Sequence, residues 1–363
     1  MKTLIRTVLM LMVFDFSLLW AASPQERAWQ DKINQVSTLY RQGQYSEAAK
    51  VAKQALEVAE NKFGPMHPNV AISLNDLAVI YKNQGRYADA EPLYKRSVSI
   101  FEKVFGPEHA NMAASMNNLA ELYEAQGKYA EAEPFYRRLL AIKEKTLGAE
   151  HPDVATLLNN LAILYYKQGK YAEAEPVYKR SASIFEKVLG PDHPNVAASM
   201  SNLAELYERQ GKDGQAEPLY RRSLAIKEKI LGSEHPDLAA SMNNLAEFYE
   251  RQGKYAQAEP FYRRSLAIKE RILGSEHPDV ATLLNNLAVV YYKQGKYAEA
   301  EPLYTGALTA MEKALGPEHL NVAKVLDNYA TLLRKTNREK EAVKVEVRLK
   351  AVRAKAAQES GAK

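Results

Sequence analysis

The seven histidines of this 363-residue chain, His67, His109, His151, His193, His235, His277 and His319, stand 42 residues apart at every step. Gly43, Gly85, Gly127, Gly169, Gly211, Gly253 and Gly295 keep the same interval, with Asn337 in the next place. So does an alanine series from Ala48 and Ala90 through to Ala342. A period of this length marks a repeat architecture, in which each unit covers its apolar face only by stacking on its neighbours. Length alone would allow two or three ordinary domains. The period replaces them with one array.

Within a period the punctuation predicts two helices. In residues 109–148 a helix starts near Ala110; most other copies have Pro there, as at Pro152, and Pro suits a first helical turn. Met116, Leu119, Ala120 and Tyr123 recur at three- and four-residue spacing and make its buried stripe. Gly127 ends it, since glycine takes the left-handed cap conformation without a Cβ clash. A second helix follows from about Ala130, with Ala132, Tyr136, Leu139 and Ile142 inward and Gly148 closing it. Pro134 falls near its first turn, where at most one intrahelical bond is lost. Asp213 and Gly214 replace the usual Tyr-Ala, which predicts a locally weaker hairpin.

Ala120, Tyr123, the Gly-x-Tyr turn, Ala132 and Tyr136 together resemble a tetratricopeptide repeat. The 42-residue interval and the linkers "LGPDHPNVA" and "LGSEHPDVA" resemble the kinesin light chain type. The resemblance covers about residues 40–345. It implies an all-α fold, a right-handed α-solenoid of about eight helical hairpins, with the first helix of each pair lining a concave channel that binds peptide or protein. The first hairpin is degenerate and the last loses Gly, Pro and Tyr, as terminal caps do. No heptad segment like the coiled coil of kinesin light chains exists here, so a motor-adaptor role does not carry over. The expected organisation is residues 1–23 as a signal peptide or N-terminal anchor, 24–357 as solenoid, and 358–363 as a disordered tail.

The N-terminal reading rests on Lys2 and Arg6, an apolar stretch from Thr7 to Trp20, and the small residues Ala21 and Ala22. This layout predicts export, to a periplasmic or other extracytoplasmic location. Asp15 interrupts the apolar stretch and Trp20 fits poorly before a cleavage site; an uncleaved anchor is the competing expectation. The formal charge of +5 belongs to the C-terminal end, because residues 334–363 hold ten Lys/Arg against four Asp/Glu. That local surplus weakens a whole-chain nucleic-acid argument. The absence of cysteine removes disulfides, thiolate metal sites and thiol nucleophiles.

Seven histidines in register invite a metal site, but packed hairpins lie roughly 8–10 Å apart. Two ligands of one zinc must approach within about 4 Å. Equivalent histidines cannot meet, and each sits just before a helix start, where capping or packing is its expected role. No phosphate-cradling glycine loop and no serine elbow is present, so no catalytic residue and no cofactor is expected. Glu91, Glu133, Glu175, Glu217 and Glu259 each precede a Lys or Arg by four residues, which predicts a solvated, paired helix face. The same pairing offsets the "KR" and "RR" doublets as a nucleic-acid stripe.

What remains is a row of amides. The second Asn of each pair, Asn118, Asn160, Asn202, Asn244, Asn286 and Asn328, repeats through six hairpins, with Asp76 ahead of them. An amide offers donor and acceptor together, which matches an extended peptide backbone. With rungs about 10 Å apart and a strand rise of about 3.3 Å, each Asn would meet roughly every third ligand residue. A similar ladder lines the channel of tetratricopeptide proteins such as the O-linked N-acetylglucosamine transferase. The alternative is that these amides only bridge adjacent helices. The first Asn of each pair (Asn75, Asn117, Asn159, Asn243, Asn285) is expected at the groove edge. Selectivity is expected from Arg209 and Arg251, offset by Glu205 and Glu247, and above all from Tyr166 with Lys167 and Tyr292 with Lys293, suited to acidic or aromatic ligand side chains. A structural or self-associating scaffold is the second functional expectation.

Overall fold

The computed structural model describes residues 24–109 and 111–361. The expected signal segment 1–23 lies outside them. Among the described residues there are sixteen α-helices and no strand. The chain divides into two compact units, one up to Ile184 and one from Phe185. The first holds α1 (Pro24–Arg41), α2 (Tyr45–Phe63), α3 (Pro68–Asn83), α4 (Tyr87–Phe105), α5 (Asn111–Ala125), α6 (Tyr129–Leu147), α7 (Pro152–Lys167) and most of α8 (Tyr171–Leu189). The second holds the end of α8, then α9 (Pro194–Arg209), α10 (Asp213–Leu231), α11 (Pro236–Arg251), α12 (Tyr255–Leu273), α13 (Pro278–Lys293), α14 (Tyr297–Leu315), α15 (Leu320–Lys335) and α16 (Glu339–Gly361).

Helix ends follow the backbone chemistry. Gly127 has φ 71°, and Asn337, in the register place of a glycine, has φ 63°; asparagine is among the few side chains that tolerate this region. Gly148 closes α6 with its N–H donated to the Glu144 carbonyl. Pro92, Pro134, Pro176, Pro218, Pro260 and Pro302 lie inside the second helices. In α6 the helix already begins at Tyr129, so Pro134 is its sixth residue, deeper than expected from sequence. Its missing N–H removes one bond, to the carbonyl four residues back.

Each hairpin packs on the next through its second helix: α2 on α3, α4 on α5 and α6 on α7 in the first unit, α10 on α11, α12 on α13 and α14 on α15 in the second. First helices also touch directly, α3 with α5 and α13 with α15. The seam is filled by the residues the period nominated. Met116, Leu119, Ala120 and Tyr123 are buried in α5, and Ala132, Tyr136, Leu139 and Ile142 in α6. Alanines such as Ala120, Ala132 and Ala204 are wholly inaccessible. Serines of the second helices cross-link the layers: Ser97, Ser181, Ser223 and Ser265 donate to the carbonyls of Ala71, Ala155, Ala197 and Ala239 at 2.7–2.8 Å.

Two local features depart from the plain repeat. Asp213 and Gly214 start α10 in normal register, with Ala216 fully buried. What α10 lacks is the tyrosine that begins α8 and α14, where Tyr171 and Tyr297 pack on Tyr166 and Tyr292 at 5.6 Å. At the other end, α16 runs to Gly361, past the expected limit of 357. The Ala, Lys, Gln and Glu of residues 351–359 are strong helix formers and simply extend the last helix.

Candidate functional site

The amide row is split between two jobs. Asn118 Nδ2 donates to Asn75 Oδ1 at 3.0 Å, and Asn328 Nδ2 donates to Asn285 Oδ1 at 2.9 Å. In these two pairs the second Asn of one hairpin reaches an Asn of the hairpin before it. Of the five asparagines expected at the groove edge, Asn117 and Asn243 are half-buried and donate to Glu121 and Glu247, and the other three are buried instead. Asn75, Asn159 and Asn285 are only 7%, 5% and 2% exposed; Asn75 and Asn285 lie where α3 meets α5 and α13 meets α15. The second Asn of each pair is half-buried in all six hairpins. Among the described residues, the side chains of Asn160 and Asn244 have no hydrogen-bond partner. Asn285 donates to Asn286 Oδ1 at 3.4 Å, which leaves the Asn286 amino group available.

The seven stretches 32–103, 75–145, 111–187, 153–229, 206–271, 237–305 and 279–349 match the tetratricopeptide repeat. The chain belongs to the tetratricopeptide repeat family. Among solved structures, the putative kinesin light chain repeats of Podosopora anserina share 33% identity over 56% of this chain and 97% of theirs, with a TM-score of 0.51. BtubC (BKLC) from P. vanneervenii shares 24% over 70% and 94%, at 0.52, and a tetratricopeptide repeat protein from Parabacteroides merdae shares 17% over 84% and 99%, at 0.55. The latter two show the fold alone. The comparison with curated proteins gave no match. The repeats are thus kinesin light chain-like, and the fold is one that serves protein–protein interaction or scaffolding.

Around the ladder of these tetratricopeptide repeats, Lys167 and Lys293 are exposed at the ends of their helices, Lys293 with its ammonium 6.0 Å from the Tyr292 ring centre. Tyr166 and Tyr292 are half-buried against the first residue of the following helix. Arg209 is exposed. Arg251 is also exposed but pairs with Glu208 of the preceding hairpin, not with Glu247 on its own helix. Glu247 instead accepts from Asn243 at 2.9 Å.

Three carboxylates on the same first helices were missed. Glu124, Glu208 and Glu250 share the register of Tyr166 and Tyr292, directly after the repeat tyrosine. Tyr220 and Tyr262 donate to Glu208 and Glu250 at 2.9 and 2.6 Å, and Tyr136 bonds to Glu124. Burial raises all three above the ordinary carboxyl range; the tyrosine hydrogen bonds, and at Glu208 first the charge of Arg251, oppose it only in part. Aligning the period would have revealed them. The hairpins of α5, α9 and α11 therefore present carboxylates where those of α7 and α13 present tyrosine and lysine.

The solvated-face expectation for the second helices holds for the cations, which are exposed, and needs correction for the half-buried carboxylates. Glu91, Glu133, Glu217 and Glu259 do pair with Lys95, Arg137, Arg221 and Arg263 at 2.7–3.0 Å. Each also accepts the hydroxyl of the next hairpin's Tyr123, Tyr165, Tyr249 or Tyr291, at 2.7–3.3 Å. A second cation, Lys128, Lys170, Lys254 or Lys296, reaches the same carboxylates. Hydrogen bonds from Lys95 and Tyr249 hold Glu91 and Glu217 below the ordinary range. These are latches between hairpins. The second base of each doublet is spent similarly: Arg96 on Glu60, Arg138 on Glu102, Arg180 on Glu144 and Arg222 on Glu186. Among the described residues no group of three or more potential metal ligands occurs, and no helix is long and apolar enough to cross a membrane.

Proposed function

We propose that the protein is a non-enzymatic binding module that holds an extended protein segment along the solvent face of its first helices, in each unit. The observation that carries this reading is the unspent capacity of the amide row. Asn160 and Asn244 have no partner, while Asn118 and Asn328 use only their amino groups and keep a carbonyl oxygen. Half-buried amides that keep donor or acceptor capacity suit a foreign main chain, which brings both. Side-chain preference then alternates along the face. Tyr166 with Lys167, and Tyr292 with Lys293, suit aromatic or acidic ligand residues, whereas Glu124, Glu208 and Glu250 disfavour acidic ones. The family match is to an interaction repeat, which supports a role without chemistry of its own. Action outside the cytoplasm belongs to the same reading and rests on Lys2, Arg6 and the apolar stretch after them; N-terminal sequencing of the mature protein tests it.

The binding test is selection of peptides from a random displayed library on the full chain, followed by affinity measurement on the double variant Asn160→Ala, Asn244→Ala. Two lost hydrogen bonds at about 1 kcal/mol each weaken binding roughly 30-fold, with melting unchanged because neither amide supports the fold. Unchanged affinity, or no selectable peptide, refutes the reading. The scaffold alternative is favoured by the Asn118–Asn75 and Asn328–Asn285 bonds; under it, Asn118→Ala lowers melting and leaves partner capture intact.

A further inference from the structure

Among the described residues, six helix starts are capped by the same side chain in the same way. Nδ1 of His67, His151, His193, His235, His277 and His319 accepts the backbone N–H two residues on, at 3.1–3.2 Å. Helix starts are usually capped by Ser, Thr, Asp or Asn, whose oxygens do not titrate near neutrality in this role. Histidine caps only while Nδ1 carries no proton. On protonation Nδ1 becomes a donor facing a donor, and a positive charge is placed at the positive end of the helix dipole.

The surroundings of the caps fall into two kinds. In α7, α11 and α13 the capped residue is an aspartate, facing a lysine of the preceding second helix. Lys143 pairs with Asp153 and Lys269 with Asp279, each at 3.1 Å. Lys227 bonds to Ser241 within electrostatic reach of Asp237. Carboxylate oxygens of Asp153 and Asp237 lie 3.9 and 3.8 Å from Nδ1 of His151 and His235, ready to compensate an imidazolium. Glu234 and Arg271 also line the surface beside His235. In α3, α9 and α15 the capped residue is Asn69, Asn195 or Asn321, and the lysine position holds buried Ala59, Phe185 or Met311. Among the described residues, His193 and His319 have no ion-pair partner. His67 stacks on Phe63 at 4.8 Å and feels Glu26 of α1.

We propose that these histidine caps make the hairpin array acid-labile: a proton on Nδ1 uncaps its helix start, and the cost is greatest at α3, α9 and α15, where the capped residue carries no charge. The proposal does not depend on the binding reading. His67 illustrates the sign. Burial lowers its pKa, with Glu26 opposing, so the unfolded chain takes up the proton first. Its stabilisation is complete above the unfolded value of about 6.5 and is lost as pH falls through it towards the lower folded value.

The test uses the full chain and two triple variants: His67→Asn, His193→Asn, His319→Asn, and His151→Asn, His235→Asn, His277→Asn. Asparagine caps as well as any residue and does not titrate. Melting temperatures are compared at pH 7.5 and pH 5.0; Asp76, the other buried titrating group on α3, is common to all three proteins. On going from pH 7.5 to pH 5.0 the first triple is expected to gain in melting temperature relative to wild type, so that the Asp76 contribution cancels, and the second triple to gain less. No gain relative to wild type in the first triple, or a greater gain in the second, overturns the proposal. Should a triple variant not fold, nitrogen-15 spectra of the wild-type histidines at pH 8 decide: Nε2–H tautomers at the six caps support it, and Nδ1–H tautomers overturn it.

Discussion

Asp76 occupies the register place held by asparagine in the six hairpins that follow, and Asp76→Asn should therefore stabilise the protein in a pH-dependent way. The carboxyl is only 6% exposed and its Oδ2 has no partner. The cause lies one hairpin back. Asn118 and Asn328 reach an asparagine 43 residues earlier, whereas the residue 43 before Asp76 is the buried, apolar Ile33. Burial pushes the Asp76 carboxyl up to about 7, with a hydrogen bond to Asn75 pulling the other way. An unfolded aspartate titrates near 3.9, and each unit of difference corresponds to about 1.4 kcal/mol. Because the folded value is raised, stability is complete below pH 3.9 and is lost as pH rises to about 7, up to roughly 4 kcal/mol in total. The amide in the variant cannot ionise, so the gap between variant and wild type should widen from pH 5 to pH 7 by about 1.4 kcal/mol per unit and level off above. Urea midpoints followed by Trp29 fluorescence in a Trp20→Phe background report this joint, since Trp29 Nε1 donates to Ser73 on the same helix as Asp76 at 2.9 Å. A gap that is constant from pH 5 to pH 8, or a variant less stable than wild type at pH 8, would refute the reasoning.

Other consequences are simpler. Gly214→Ala should raise stability by about 0.5–1 kcal/mol, because Gly214 is helical and a Cβ there meets nothing within 4 Å; a fall in the urea midpoint contradicts this. Tyr291→Phe removes the hydroxyl that links α13 to Glu259 on α12 and should cost about 1 kcal/mol, seen as faster hydrogen exchange in α13, with no change expected in α3.

The division between legible and illegible features runs along physical lines. Hairpin boundaries, caps and core positions were readable because they follow from local backbone chemistry and from a stripe that any stacked copy must bury. The histidines were expected to cap or pack, and six cap. The carboxylates before the doublets were misread as solvated, because the tyrosines and lysines that complete the latches come from the next hairpin, 32 to 37 residues on. The partner of Arg251 was misassigned for the same reason, as Glu208 lies on a different helix.

By itself the sequence determined the repeat, the helical hairpin and the residues that stack, since a strict 42-residue period leaves one consistent way to bury alanine, leucine and tyrosine together. Only the tertiary structure decided which polar groups are spent within the array and which remain to meet a partner. Asn118 and Asn160 stand in equivalent places; the first is engaged with Asn75 and the second is not. That difference follows which way the earlier amide turns: Asn75 accepts from Asn118, whereas Asn117, 43 residues before Asn160, donates to Glu121 on its own helix at 2.8 Å, a choice that only the folded geometry settles to the ångström that a hydrogen bond requires.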